Sequence, residues 1–240
     1  MSGHSKWNNI THKTAQTDAQ RAQTFTKVGK EIAMAVKAGG ADPESNSKLR
    51  DLIQKAKSLN VPNDNIDRII KKAASSDCEN YETVYYEGYG PSGIAVIVEC
   101  ATDNRNRTSA DLRHYFDKYG GNLGTTGCVS YQFTDQGVIL VDAEGVDEEA
   151  LMEAALEAGA DDIGLEEDTF EVLTPVSDLY AIKEVLEGKG YKILSSEEEK
   201  IPSSNVALTD EEAVTKMQKL LDALDDNDDV QNVWHNWETE

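Results

Sequence analysis

Two stretches of the 240-residue chain carry residue types suited to holding an anion. In "DNRNRT" (103–108) Arg105 and Arg107 sit between a strand pattern and a helix pattern, where unpaired backbone N–H groups and the helix dipole favour negative charge. Two guanidinium forks there can take phosphate bidentately, with Asn104 as the turn residue, or can pair with local carboxylates. The second stretch, "GHSKWNNITHKTAQTDAQRAQ" (3–23), sets Lys6, Lys13, Arg21 and two histidines against one acid, Asp18, with Trp7 and Ile10 as its large apolar side chains. Such a segment cannot bury itself. Its lysines and arginine can neutralise phosphates, Trp7 can stack on a base, and its amides and hydroxyls can bond sugar and phosphate oxygens.

Other chemistry finds no such arrangement. His4, His12, His114 and His235 lack the spacing of a metal site, and Cys78, Cys100 and Cys128 form no C-x-x-C pair, so neither a metal nor a disulfide framework is expected. The acidic runs at 166–168 and 225–229 do not follow a calcium loop and read as solvated turns. "GYGPSG" (88–93) and "GGNLGTTG" (120–127) match neither a dinucleotide fingerprint nor a P-loop and read as tight turns. No nucleophile has an evident base, so no catalytic residue and no cofactor are expected.

Charge is distributed unevenly. The formal net charge of −22 divides into +6 over residues 1–72 and −28 over 73–240, and no Lys or Arg occurs between Tyr119 and Ile182. A basic end on an acidic chain points to a nucleic-acid-facing terminus. No apolar run approaches a membrane span and no signal-peptide core opens the chain, so a cytoplasmic protein without membrane contact is expected.

The elements that must position these residues follow from periodicity. From about Asp18 to a stop at Gly39-Gly40 the pattern is helical: Phe25, Val28, Ile32, Ala35 and Val36 form one face, with Lys27, Lys30 and Lys37 on the opposite one. Further helices are expected at 46–60, with Leu49, Leu52, Ile53, Ala56 and Leu59 inward, and after "VPNDN", with Ile66, Ile69, Ile70 and Ala73 inward. Beyond residue 77 the period becomes that of strands. A hairpin ending in Ile94–Cys100, a helix at "DNRNRTSADLRHYFDKYGG" and a strand at "GCVSYQF" come first. Then strands at 138–141, 162–165, 169–173 and 191–194 alternate with helices at 147–158 and 177–189, a β-α-β-β-α-β order that spells a ferredoxin-like sandwich. A last strand, helix and strand are too few to bury a sheet alone and must complete the interrupted hairpin unit. The expected fold is α+β, an N-terminal three-helix bundle followed by two ferredoxin-like α/β sandwiches, one inserted in the other. Its parts are a basic tail (1–24), a helical domain (25–77), a split α/β domain (78–133 plus 203–240) and an inserted acidic domain (134–202).

"GHSKWNNI" (3–10), "FTKVGKEI" (25–32), "YEGYGPSG" (86–93), "DNRNRT" and "GGNLGTTG" together resemble, from end to end, the YebC-like family of bacterial regulatory proteins, which includes mitochondrial translational activators. The resemblance implies a three-domain cytoplasmic protein without enzymatic activity that regulates transcription by binding DNA. It also leaves room for relatives that act in translation at the ribosome, including on proline-rich products. The nucleic-acid-binding set is then His4, Ser5, Lys6, Trp7, Lys13, Arg21, Lys27 and Lys30, with Asn104, Arg105 and Arg107 at the second turn. Three readings stand: a DNA-binding transcriptional regulator, a ribosome- or RNA-binding translation factor partnered by ribosomal RNA and ribosomal proteins, and an acidic protein-interaction scaffold.

Overall fold

In the computed structural model, which describes residues 18–75, 80–166 and 168–238, three helices precede the sheets. They are α1 (Asp18–Gly39), α2 (Ser47–Ser58) and α3 (Asn63–Ala74); α1 begins at Asp18, where the helical pattern begins in the sequence, and so takes in residues 18–24 of the basic tail. Their shared core holds Val28, Ile32, Val36, Leu49, Ala56 and Ile66. Buried Asn46 fixes the turn after α1: its Oδ1 accepts from Leu49 N at 3.0 Å to cap α2, and its Nδ2 donates to the carbonyls of Ala35 and Gly40, both at 2.9 Å.

Next come β1 (Glu82–Tyr89), β2 (Ala95–Thr102), α4 (Arg105–Lys118) and β3 (Asn122–Leu123). The chain continues through β4 (Phe133–Asp142), α5 (Glu148–Ala158), β5 (Asp162–Glu166), β6 (Thr169–Thr174), α6 (Leu179–Gly188) and β7 (Ile193–Pro202). It closes with β8 (Val206–Ala207), α7 (Glu211–Asp225), β9 (Val230–His235) and β10 (Trp237–Glu238). Two four-stranded sheets result, ordered β3-β1-β2-β9 and β5-β6-β4-β7, and β10 pairs with β8. Among the described residues the chain divides into two compact units, 134–201 on one side and 18–133 with 202–238 on the other.

In the larger unit β1 and β2 form an antiparallel hairpin with Val84 opposite Cys100 and Gly88 opposite Val96. One face of this sheet, through Val96, Val98 and Cys100, packs on Leu112 and Phe116 of α4 and on Met217, Leu220 and Leu224 of α7. Neither half could cover that face alone, which is why the C-terminal helix and strand must return after the insertion. In the inserted unit Ile139, Val141, Phe170 and Val172 face Leu151 and Ala155 of α5 and Leu179, Ile182 and Leu186 of α6.

Three elements differ from expectation. "GCVSYQF" is a loop with a short 3-10 turn at Ser130–Gln132, and the edge strand beside β1 comes from Asn122–Leu123. The glycines make that pairing possible, since a Cβ on Gly88 would lie 2.6 Å from the Asn122 carbonyl oxygen and one on Gly121 would lie 2.3 Å from that of Tyr89. Finally, β7 runs on through "SSEEEKIP", where β propensity is low; it is an edge strand, and charged side chains suit an edge.

Candidate nucleic-acid interface

Helix α1 is committed on two sides. Its apolar face builds the three-helix core, while Lys30, expected to face phosphate, is only 9% exposed. The Lys30 ammonium lies 2.7 Å from Asp229 Oδ1, donates to the Asp228 carbonyl at 2.9 Å, and stands 5.2 Å from the centre of the Tyr81 ring. Lys27 beside it bonds the backbone carbonyl of Asp225 and sits 3.3 Å from that residue's carboxylate, and Gln23 donates to the same carbonyl at 3.2 Å. The outer face of α1 is thus a contact with the turn between α7 and β9. This corrects the expectation for Lys30: an ammonium on the polar face of a helix is as well satisfied by a neighbouring domain's carboxylate as by phosphate.

The same carboxylate settles the position of "DNRNRT". Asp229 Oδ2 accepts from Arg107 at 2.7 Å and from the Thr108 hydroxyl at 2.8 Å, and Arg107 also reaches Asp103 at 2.9 Å. Arg105 pairs with Glu82 through two of its nitrogens. Asn104 caps α4, its side chain accepting from Arg107 N at 3.1 Å. Of the two readings of this turn, pairing with local acids is the one present; Arg105 and Arg107 are nonetheless partly exposed. Burial opposes charge on Asp229, but bonds from Lys30, Arg107 and Thr108 outweigh it and hold its pKa below the ordinary value.

A second carboxylate organises the glycine-rich stretches. Glu87, on the sheet face away from α4 and α7, accepts from the backbone N–H groups of Gly127 at 2.8 Å and of Val129 and Ser130 at 2.9 Å each. Burial opposes its charge, yet these donors keep its pKa below the usual carboxylate value. The turn that begins at Gly127, the last residue of "GGNLGTTG", and runs on through Val129 and Ser130 therefore forms an anion-binding nest, and the anion is the protein's own glutamate.

The remaining cationic surface lies on α2 and α3, where Lys48, Lys57, Arg68 and Lys71 are exposed. Arg68 and Lys71 border an open depression shared with Asp64 and Asp67. Arg21 is exposed on α1, while His4, Ser5, Lys6, Trp7 and Lys13 lie outside the described residues. Sequence reasoning missed Asp229, which falls within the acidic turn 225–229. Its one distinguishing signal is position, directly before the apolar strand start Val230. Among the described residues no group of three or more His, Cys, Asp or Glu could hold a metal ion, and no helix is long and apolar enough to cross a membrane.

This arrangement recurs in other proteins. A crystal structure of a conserved hypothetical protein from Aquifex aeolicus superposes with a TM-score of 0.85 at 47% identity, covering 98% of this chain and 97% of that one. A protein of Acetivibrio thermocellus named "Probable transcriptional regulatory protein" is 55% identical over 239 residues, spanning 99% of both chains, and one of the same name from Finegoldia magna is 52% identical over the whole of each. Two family models match, described as the TACO1/YebC protein N-terminal domain over residues 5–76 and the TACO1/YebC second and third domain over 81–237. With helices, hairpin and inserted sandwich all inside those matches, the chain belongs to the TACO1/YebC family.

Proposed function

We propose that the protein is a non-enzymatic, DNA-binding regulator of transcription in the cytoplasm. Its helical domain contacts phosphate through the exposed Lys48, Lys57, Arg68 and Lys71, together with the basic tail residues Lys6 and Lys13 and the stacking side chain Trp7. The observation that carries this reading is that Lys48, Lys57, Arg68 and Lys71 on α2 and α3 stay exposed while Lys30 and Arg107 are drawn into pairs with Asp229. The names of the Acetivibrio and Finegoldia relatives support the regulatory role. The acidic remainder repels phosphate, which confines contact to this end of the chain.

Replacing Lys48, Lys57, Arg68 and Lys71 together by Ala should weaken binding to duplex DNA on all sequences alike. The salt dependence should flatten by roughly 0.9 for each phosphate that is no longer neutralised. Titration at two salt concentrations measures both, and unchanged affinity at each would remove this surface from the proposal. Promoter footprinting beside sucrose-gradient sedimentation, with and without nuclease, identifies the nucleic acid. Nuclease-sensitive migration with ribosomes and no footprint would replace the transcriptional reading with one in translation.

A further inference from the structure

Five of the seven large apolar side chains that stand exposed among the described residues belong to the inserted unit, and three of these lie on its two helices. Met152 and Leu156, one turn apart on α5, are 37% and 51% exposed, and Val185 on α6 is 42% exposed. The helices pack side by side over the sheet. Lys189 bonds Glu157 across them at 3.4 Å, one residue from Leu156 and one turn from Val185. Side chains on the outward side of a helix pair contribute nothing to the core beneath it, which Leu151, Ala155, Ile182 and Leu186 already fill.

The surroundings select the occupant. Glu149, Glu153 and Glu184 stand exposed on the same two helices, and residues 134–201 contain twenty Asp or Glu against four Lys, a net charge of −16. A nucleic acid or an anionic lipid surface is repelled by that field, and a second copy of the unit would bring the same charge against itself. A cationic segment with apolar anchors is attracted to the rim and desolvates the centre.

We propose that the outer face of α5 and α6 is a docking surface for a basic amphipathic segment of a partner protein, with Met152, Leu156 and Val185 receiving its apolar side chains and the surrounding glutamates its Lys or Arg. The surface lies in the unit without the basic helices, so it stands or falls separately from DNA binding.

The test uses the full chain and two short synthetic peptides of equal charge, one of lysine and leucine at helical spacing and one of lysine and serine. The lysine/leucine peptide should bind and shift backbone amide resonances on α5 and α6. Changing Met152, Leu156 and Val185 together to Ser should weaken it by about tenfold or more. The lysine/serine peptide should bind far more weakly and respond little to the change. Equal binding of the two peptides, unchanged affinity in the variant, or shifts centred away from α5 and α6 would each overturn the proposal. Should the triple variant lose its cooperative melt, Leu156→Ser alone applies the same criterion at the most exposed of the three positions.

Discussion

Asp229 in the larger unit and Glu171 in the inserted one are both carboxylates substantially withdrawn from water, and they respond in opposite directions. Asp229 meets Lys30, Arg107 and Thr108 and is held below its ordinary pKa of 3.8. Glu171, on β6, is raised from 4.5 to about 7 by burial first and then by Glu166 and Glu199. Glu87 is intermediate in kind, since uncharged donors, three backbone N–H groups and the Ser130 hydroxyl, hold its pKa below the ordinary value against burial. Burial by itself therefore fixes nothing about the charge state; the partners decide. Where bases are available this chain uses them to hold elements together, and where they are missing the acids repel one another.

The sharpest way to break this comparison is to remove Asp229. Asp229→Ala leaves the Lys30 ammonium buried without its counter-ion and should cost about 3–5 kcal/mol in urea unfolding. A loss under about 1 kcal/mol would mean that the pair does not couple α1 to the sandwich. The pH dependence has a defined sign. Because the folded pKa is depressed, the stabilisation is present above the unfolded value of 3.8 and is lost as pH falls through the folded one.

Glu87→Ala comes next, at about 2–3 kcal/mol, since three N–H groups lose one acceptor. Amide exchange should accelerate at Gly127, Val129 and Ser130, and protection equal to wild type there would refute the nest. The smallest effect is a gain. Glu171 binds its proton more tightly folded than unfolded, so its contribution is greatest below pH 4.5 and declines as pH rises to about 7. Glu171→Gln should remove that decline and stabilise the protein at about pH 8, by on the order of 1–2 kcal/mol after the discount for solvent screening of a part-exposed carboxylate, seen as parallel melting curves at about pH 5 and 8. Wild-type pH dependence in the variant would assign the shift elsewhere.

The β-α-β-β-α-β rhythm was legible because each element of the insertion carries its own period and turn: Asp147 caps α5 through Ala150 N, and Gly159 at φ 102 ends it. The three-helix core was legible for the same reason. Long-range pairing was not. Nothing local in "SSEEEKIP" marks a strand, because its place is fixed by β4 beside it. "GCVSYQF" alternates like a strand, but Glu87 captures its backbone donors first. The α1 wheel put Lys27 and Lys30 on the face away from the helical core, but where phosphate was expected that face meets Asp225 and Asp229. Asp229 is 199 residues from Lys30, a separation at which a charge pattern carries no partner information.

Where β4 departs and β7 returns, Ser203 N donates to the Gln132 carbonyl at 2.8 Å. The two ends of the excursion are thus held one hydrogen bond apart. For a growing or evolving gene this gives residues 134–201 a closed neck. A shorter, longer or unrelated insert placed between Gln132 and Ser203 meets ends already spaced for a tight turn, so the flanking strands are expected to keep their register.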